Sequence, residues 1–161
     1  STPESRAERS DLVSDARDAR TYMAEKSPDL ERALDTSAGY AVYPNVGEAG
    51  VVAVGGTTGA GVVFQKDEVI GFSTIGGASV GPQLGGQAYD QIVIFKTQEA
   101  LTRMKMGNFD LSADASATAL ASGATVKGAF EDGVAVIVDD ERGLMAEASI
   151  GGQSLSFEPR R

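Results

Sequence analysis

The alternation of apolar and polar positions changes character once along the chain. Near the start, Leu12, Ala16, Ala19 and Met23 recur at i, i+4, i+7 and i+11 among charges such as Glu8, Asp15 and Arg20. That spacing predicts a helix with a narrow apolar stripe, packed on the rest of the domain. Ser27 and Pro28 then supply an N-cap and a first helical position, opening a short second helix through Leu34. From residue 38 onward, short runs of Val, Ile, Phe and Tyr separated by glycine predict strands at 40–43, 51–54, 61–64, 69–75 and 92–95. One helix interrupts them. Thr97 is its N-cap, Ala100, Leu101 and Met104 form its apolar face, and Arg103 and Lys105 stand in its last turn before Gly107.

The stretch 111–121 is rich in alanine, which by propensity favours helix. However, Leu111, Ala113, Ala115, Ala117, Ala119 and Ala121 alternate with Ser112, Asp114, Ser116, Thr118, Leu120 and Ser122, a period of two that predicts a strand. Further strands are expected at 125–130, 134–138, 144–150 and 155–157. The pattern predicts a mainly β, α+β fold: an antiparallel barrel- or sandwich-like sheet of about nine short strands, with an N-terminal helix and one internal helix. Residues 1–26 are expected to form a tether and a helix packing on the domain, and 27–161 the domain itself.

Composition sharpens this picture mainly by what it lacks. The 161 residues contain no Cys, His or Trp, which removes disulfides, thiolate nucleophiles, zinc–sulfur sites and imidazole bases. All 20 glycines lie between Gly39 and Gly152, within the β region. The net charge of −9 argues against an electrostatic nucleic-acid binder. It is spread along the chain, with 6 basic and 9 acidic residues in 1–35 and 8 and 14 in the remainder. No apolar run approaches the roughly 20 residues of a membrane-spanning helix, and the polar start reads as no leader.

Three motifs invite chemistry. Gly55-Gly56-Thr57-Thr58-Gly59-Ala60-Gly61 lacks phosphate-loop spacing and has a strand after it where a helix should begin, so it reads as a hairpin turn. Gly77-Ala78-Ser79-Val80-Gly81 matches the nucleophile-elbow pattern, but the chain has no His and no helix is predicted after Val80. A pairing of Ser79 with Lys66, Lys96 or Lys127 is its only remaining route to nucleophilic catalysis. Asp139-Asp140-Glu141, between two predicted strands, reads as a solvated hairpin tip rather than a metal loop. No catalytic residue, metal site or cofactor is expected. The repeated Gly-Gly-Gln at Gly85–Gln87 and Gly151–Gln153 suggests two similar corners.

Several segments in order resemble the SYLF family, the actin-regulator domain of yeast WASP-binding proteins. They are Gly39-Tyr40-Ala41-Val42-Tyr43-Pro44-Asn45-Val46, Gly55-Gly56 through Gly61-Val62-Val63-Phe64, and Ser79-Val80-Gly81-Pro82-Gln83-Leu84-Gly85-Gly86-Gln87. Ile92-Val93-Ile94-Phe95-Lys96-Thr97, Ala100-Leu101 and Gly143-Leu144-Met145-Ala146-Glu147-Ala148-Ser149-Ile150-Gly151-Gly152-Gln153 complete the set. The resemblance is strongest to bacterial members, secreted or outer-membrane lipoproteins of the kind found in Burkholderia and related proteobacteria. It implies a lipid anchor upstream of Ser1, a periplasmic or outer-membrane location, and surface exposure of the sort expected of an antigen. It also implies a phospholipid or an envelope protein as partner, with actin not expected. Local cations would then carry the headgroup contact, and the candidates are Arg17 and Arg20 of the first helix with Lys96, Arg103 and Lys105 around the internal one. The alternative is a structural or protein-interaction module with no lipid binding of its own.

Overall fold

The computed structural model describes residues 6–46, 57–76, 89–107, 109–110, 118–119, 126, 130, 132–140, 143–146 and 154–160. The apolar stripe of the first segment becomes α1 (Arg6–Glu25), which buries Ala16, Ala19, Met23 and Ala24. Leu12 and Val13 sit half-buried beside them. Ser27 caps α2 (Pro28–Thr36): its hydroxyl accepts from the Leu30 amide at 3.2 Å. Pro28 occupies the first turn, where a missing N–H costs nothing. Leu30 and Leu34, one turn apart, are the side chains α2 buries.

The strands are β1 (Gly39–Val46), β2 (Thr57–Gln65), β3 (Glu68–Gly76) and β4 (Tyr89–Phe95). After α3 (Gln98–Lys105) come β5 (Phe109–Asp110), β6 (Thr118–Ala119), β7 (Val134–Asp140), β8 (Gly143–Ala146), β9 (Ser154–Leu155) and β10 (Glu158–Pro159). They form one antiparallel sheet in the order β5-β9-β3-β2-β1-β4-β7-β8-β6, with β10 also paired to β3. The sheet is curled into a half-barrel. The expected mainly β fold with an N-terminal and an internal helix is what forms, and Thr97 caps α3 as its sequence predicts, accepting from the Ala100 amide at 3.1 Å.

Both faces of the sheet are covered. Tyr40 and Val42 of β1, Val62 and Phe64 of β2, and Ile92 and Ile94 of β4 pack with α1 and α2. Their neighbours Ala41, Tyr43, Val63, Val93 and Phe95 point the other way, onto Ala100, Leu101 and Met104 of α3. Two-sided burial is why Ile92-Val93-Ile94-Phe95 has no polar alternation, a pattern more usual in parallel sheets. Beneath α1, Phe72, Val62, Val42, Ile92 and Ile137 form one row of paired residues across β3, β2, β1, β4 and β7. Each such buried side chain contributes roughly 1.5–3 kcal/mol.

Three expectations are corrected. The glycine-rich stretch is strand rather than turn from Thr57 onward, and position 61 of β2 has to be glycine because a Cβ there would lie 2.4 Å from the Tyr43 ring and 2.6 Å from the Val42 carbonyl. The tight turn in this region is Lys66-Asp67, both with positive φ (51° and 64°), which suits the twist of a two-residue hairpin. Val126 and Phe130 take part in no strand; the buried Val126 is instead tied to α2, its amide donating to Asp29 Oδ2 at 2.6 Å. Asp139 and Asp140 belong to β7, and Asp139 is buried rather than solvated. Residues 51–54, most of 111–121, Ser79 and both Gly-Gly-Gln segments lie outside the described residues.

Candidate functional site

Helix α1 crosses the sheet on arginines as well as on its apolar stripe. The Arg20 guanidinium lies 5.8 Å from the Tyr40 ring centre, Arg17 5.1 Å from Phe64 and Arg9 5.0 Å from Phe72, on β1, β2 and β3 in turn. The Tyr40 and Phe64 rings are themselves stacked at 5.4 Å. Arg6, Arg9, Val13, Arg17 and Arg20 follow one another at intervals of three, four, four and three residues, so they share one side of the helix. Glu8, Asp11, Asp15, Asp18 and Glu25 are all exposed and follow a second such stripe. Charges that alternate in sequence are therefore segregated around the helix axis.

The two ends of the arginine stripe differ. Toward the C-terminal end, Arg20 donates to Glu31 Oε2 at 3.1 Å, to Asp35 Oδ1 at 3.4 Å and to the Tyr40 hydroxyl at 3.3 Å. Burial alone would lower the Arg20 pKa, but Tyr40 and Glu31 outweigh it and the net shift is upward. The Tyr40 hydroxyl donates to Asp67 Oδ1 at 2.8 Å, and burial pushes its pKa up to about 12. The cleft here, about 350 Å³, thus balances its cations with Glu31, Asp35 and Asp67.

Toward the N-terminal end lies a larger groove, about 610 Å³, lined by Arg6, Arg9, Ser10, Val13, Arg17, Val69, Phe72 and Arg160. Four of these eight are arginines and none is acidic, in a chain of net charge −9. Val13, Val69 and Phe72 provide apolar surface between the guanidinium groups. Arg160 is brought here by the C-terminal segment, which runs along β3: its amide donates to the Ile70 carbonyl at 3.0 Å, and Glu158 and Pro159 pair with Phe72 and Gly71. Glu158 borders the groove and accepts from Arg9 at 3.1 Å. Guanidinium groups in this arrangement suit phosphate or carboxylate oxygens, with methylene groups resting on the apolar part.

The five cations singled out from sequence do not converge. Arg17 stands between the two, lining the groove and also the balanced cleft, where it donates to the Asp67 carbonyl at 3.3 Å, whereas Arg20 lines the balanced cleft alone. Lys96 lies 5.6 Å from the Phe130 ring, in a separate cleft beside α2 that also contains Asp29 and Arg32. Arg103 faces Phe109 at 5.9 Å and donates to the Asp132 carbonyl at 2.7 Å, and Lys105 is exposed in the same helix. Helix α3 packs on the opposite face of the sheet from α1. Arg6, Arg9 and Arg160 stand outside those five. The helical spacing could have found the first two; nothing local marks the third. Among the described residues, no group of acidic side chains is arranged to hold a metal ion, and no helix is long and apolar enough to cross a membrane.

In three dimensions the chain is similar to a β-barrel-like, uncharacterized protein from Brucella abortus, with 16% identity, 94% of each chain covered and a TM-score of 0.46. No curated protein matches it significantly. Residues 76–160 match the family model Ysc84, the Las17-binding protein actin regulator. The match takes in Ile92 through Thr97, α3 and the segment from Gly143 to Gln153, and it covers 85 of the 161 residues. The chain belongs to the Ysc84, or SYLF, family.

Proposed function

We propose that this SYLF domain is a non-catalytic binder of anionic phospholipid headgroups, acting in the bacterial envelope as part of a lipoprotein. The observation that carries this reading is the arginine-lined groove between α1, β3 and β10. An anionic headgroup would engage Arg6, Arg17 and Arg160, while its glycerol backbone and first methylenes rest on Val13, Val69 and Phe72. Guanidinium groups stay protonated at all ordinary pH values and cannot shuttle protons, so these residues suit binding rather than general acid–base chemistry. The envelope location and the lipid anchor rest on the likeness to bacterial members, and the same likeness leaves actin outside the expected partners.

Because the whole molecule is acidic, attraction to an anionic membrane must come from a local patch and must be sensitive to salt. Flotation with neutral vesicles and with vesicles containing phosphatidylglycerol, at low and physiological salt, tests the reading. Binding to the anionic vesicles that weakens as salt rises is the expected result, together with no co-sedimentation with filamentous actin. Absence of binding under every condition would overturn the headgroup reading and favour an interaction module of the periplasm.

A further inference from the structure

The geometry points to Glu158 as the groove's own anion: it holds Arg9 when the groove is empty and competes with any anionic group that enters. This inference rests on the reading of the groove as an anion site, and deepens it by naming a residue that sets its affinity. Phe72 and Glu158 share one rung of the sheet, and Arg9 of α1 lies over it. The Arg9 guanidinium lies 5.0 Å from the Phe72 ring and 3.1 Å from Glu158 Oε1, and Phe72 pairs in register with Glu158.

The carboxylate is tethered close to its cation. Gly71, in register with Pro159, makes the approach of the last strand possible: a Cβ on Gly71 would fall 2.5 Å from the Phe157 ring and 2.6 Å from the Glu158 carbonyl. The Ser156 amide donates to the Thr74 carbonyl at 3.0 Å and the Arg160 amide to Ile70 at 3.0 Å, fixing the segment on both sides of Glu158. The ion pair is nevertheless breakable. Its side chains are 25% and 36% exposed, so water screens it and an incoming phosphate can take over Arg9 at modest cost. Arg6, Arg17 and Arg160 are all exposed at the same groove and would hold the ligand while the exchange occurs.

Replacing Glu158 with glutamine keeps its shape and removes the competing charge. Glu158→Gln is expected to bind phosphatidylglycerol vesicles roughly two- to fivefold more tightly than the parent chain, as suits the loss of a partly solvated ion pair. In an Arg9→Gln background the same change should bring no gain, because the contact it relieves is already gone. A comparable gain with soluble glycerol 3-phosphate would support the competitor role and assign the site to the phosphate itself; a gain confined to vesicles would support it and assign the site to lipid. Unchanged or weaker binding by Glu158→Gln, with the parent chain still binding, would overturn the inference and leave the headgroup reading standing. A gain that persists without Arg9 would also overturn it. Failure of both proteins to bind would overturn both.

Discussion

Asp139 sits next to Asp140 and Glu141, and three consecutive acids followed by Arg142-Gly143 resemble the tip of a solvated hairpin. β7 instead runs through Asp140, and the Asp139 side chain is only 4% exposed. Lys26 compensates it, donating to both carboxylate oxygens at 2.8 and 2.9 Å, with its ammonium 4.3 Å from the Tyr22 ring. Lys26→Met leaves a buried carboxylate without its partner. It should cost about 1.5–3 kcal/mol of stability, measured as a fall in the urea midpoint with little change in slope. Burial lowers the Lys26 pKa, but Asp139 more than offsets this and the net shift is upward. Its stabilising contribution is therefore full below the unfolded-state pKa and lost as pH rises through the folded-state value. Tyr40 acts with the same sign, since burial holds its hydroxyl protonated up to about 12. Stability is expected to fall between about pH 10 and 12, and Tyr40→Phe should make that fall shallower. Denaturant titrations across this range check both.

The elements read best from sequence are those whose signals are local. Ser27-Pro28 and Thr97 mark helix starts by side-chain hydrogen bonds within three residues, and all three helices form where expected. Strands were legible as β-branched and aromatic runs, but their ends were not, because a glycine that packs under a neighbour looks the same as one in a turn. Gly61 is the example: its role depends on Tyr43, which sits beside it only once β1 and β2 have paired. Gly71 does the same for β10. Gly71→Ala should push the 156–160 segment off β3, and faster amide exchange at Ser156 and Arg160, with the rest of β3 still protected, would report it. The change should also weaken anion binding, because Arg160 leaves the groove with that segment.

The groove itself belongs to the assembled molecule. Arg9 and Glu158 are 149 residues apart, and Arg160 reaches the start of α1 only because the end of the chain lies along β3. Three of the groove's four arginines were recoverable from the helical repeat 6-9-13-17-20; reading the signs in linear order concealed it. The assembled surface also separates Arg17 from Arg103 and Lys105, which the sequence alone groups together. Arg6, Arg9, Arg17 and Arg160 are gathered at one groove, while Arg103 and Lys105 lie with α3 on the far face of the sheet. Flotation with phosphatidylglycerol vesicles at low salt distinguishes them most directly, comparing Arg6→Gln/Arg160→Gln with Arg103→Gln/Lys105→Gln. The groove pair should lose roughly ten- to thirtyfold in binding, since each basic residue near an anionic surface contributes about 1 kcal/mol, and the α3 pair should change less than about twofold. Loss confined to the α3 pair, with the groove pair binding like the parent chain, would contradict the account.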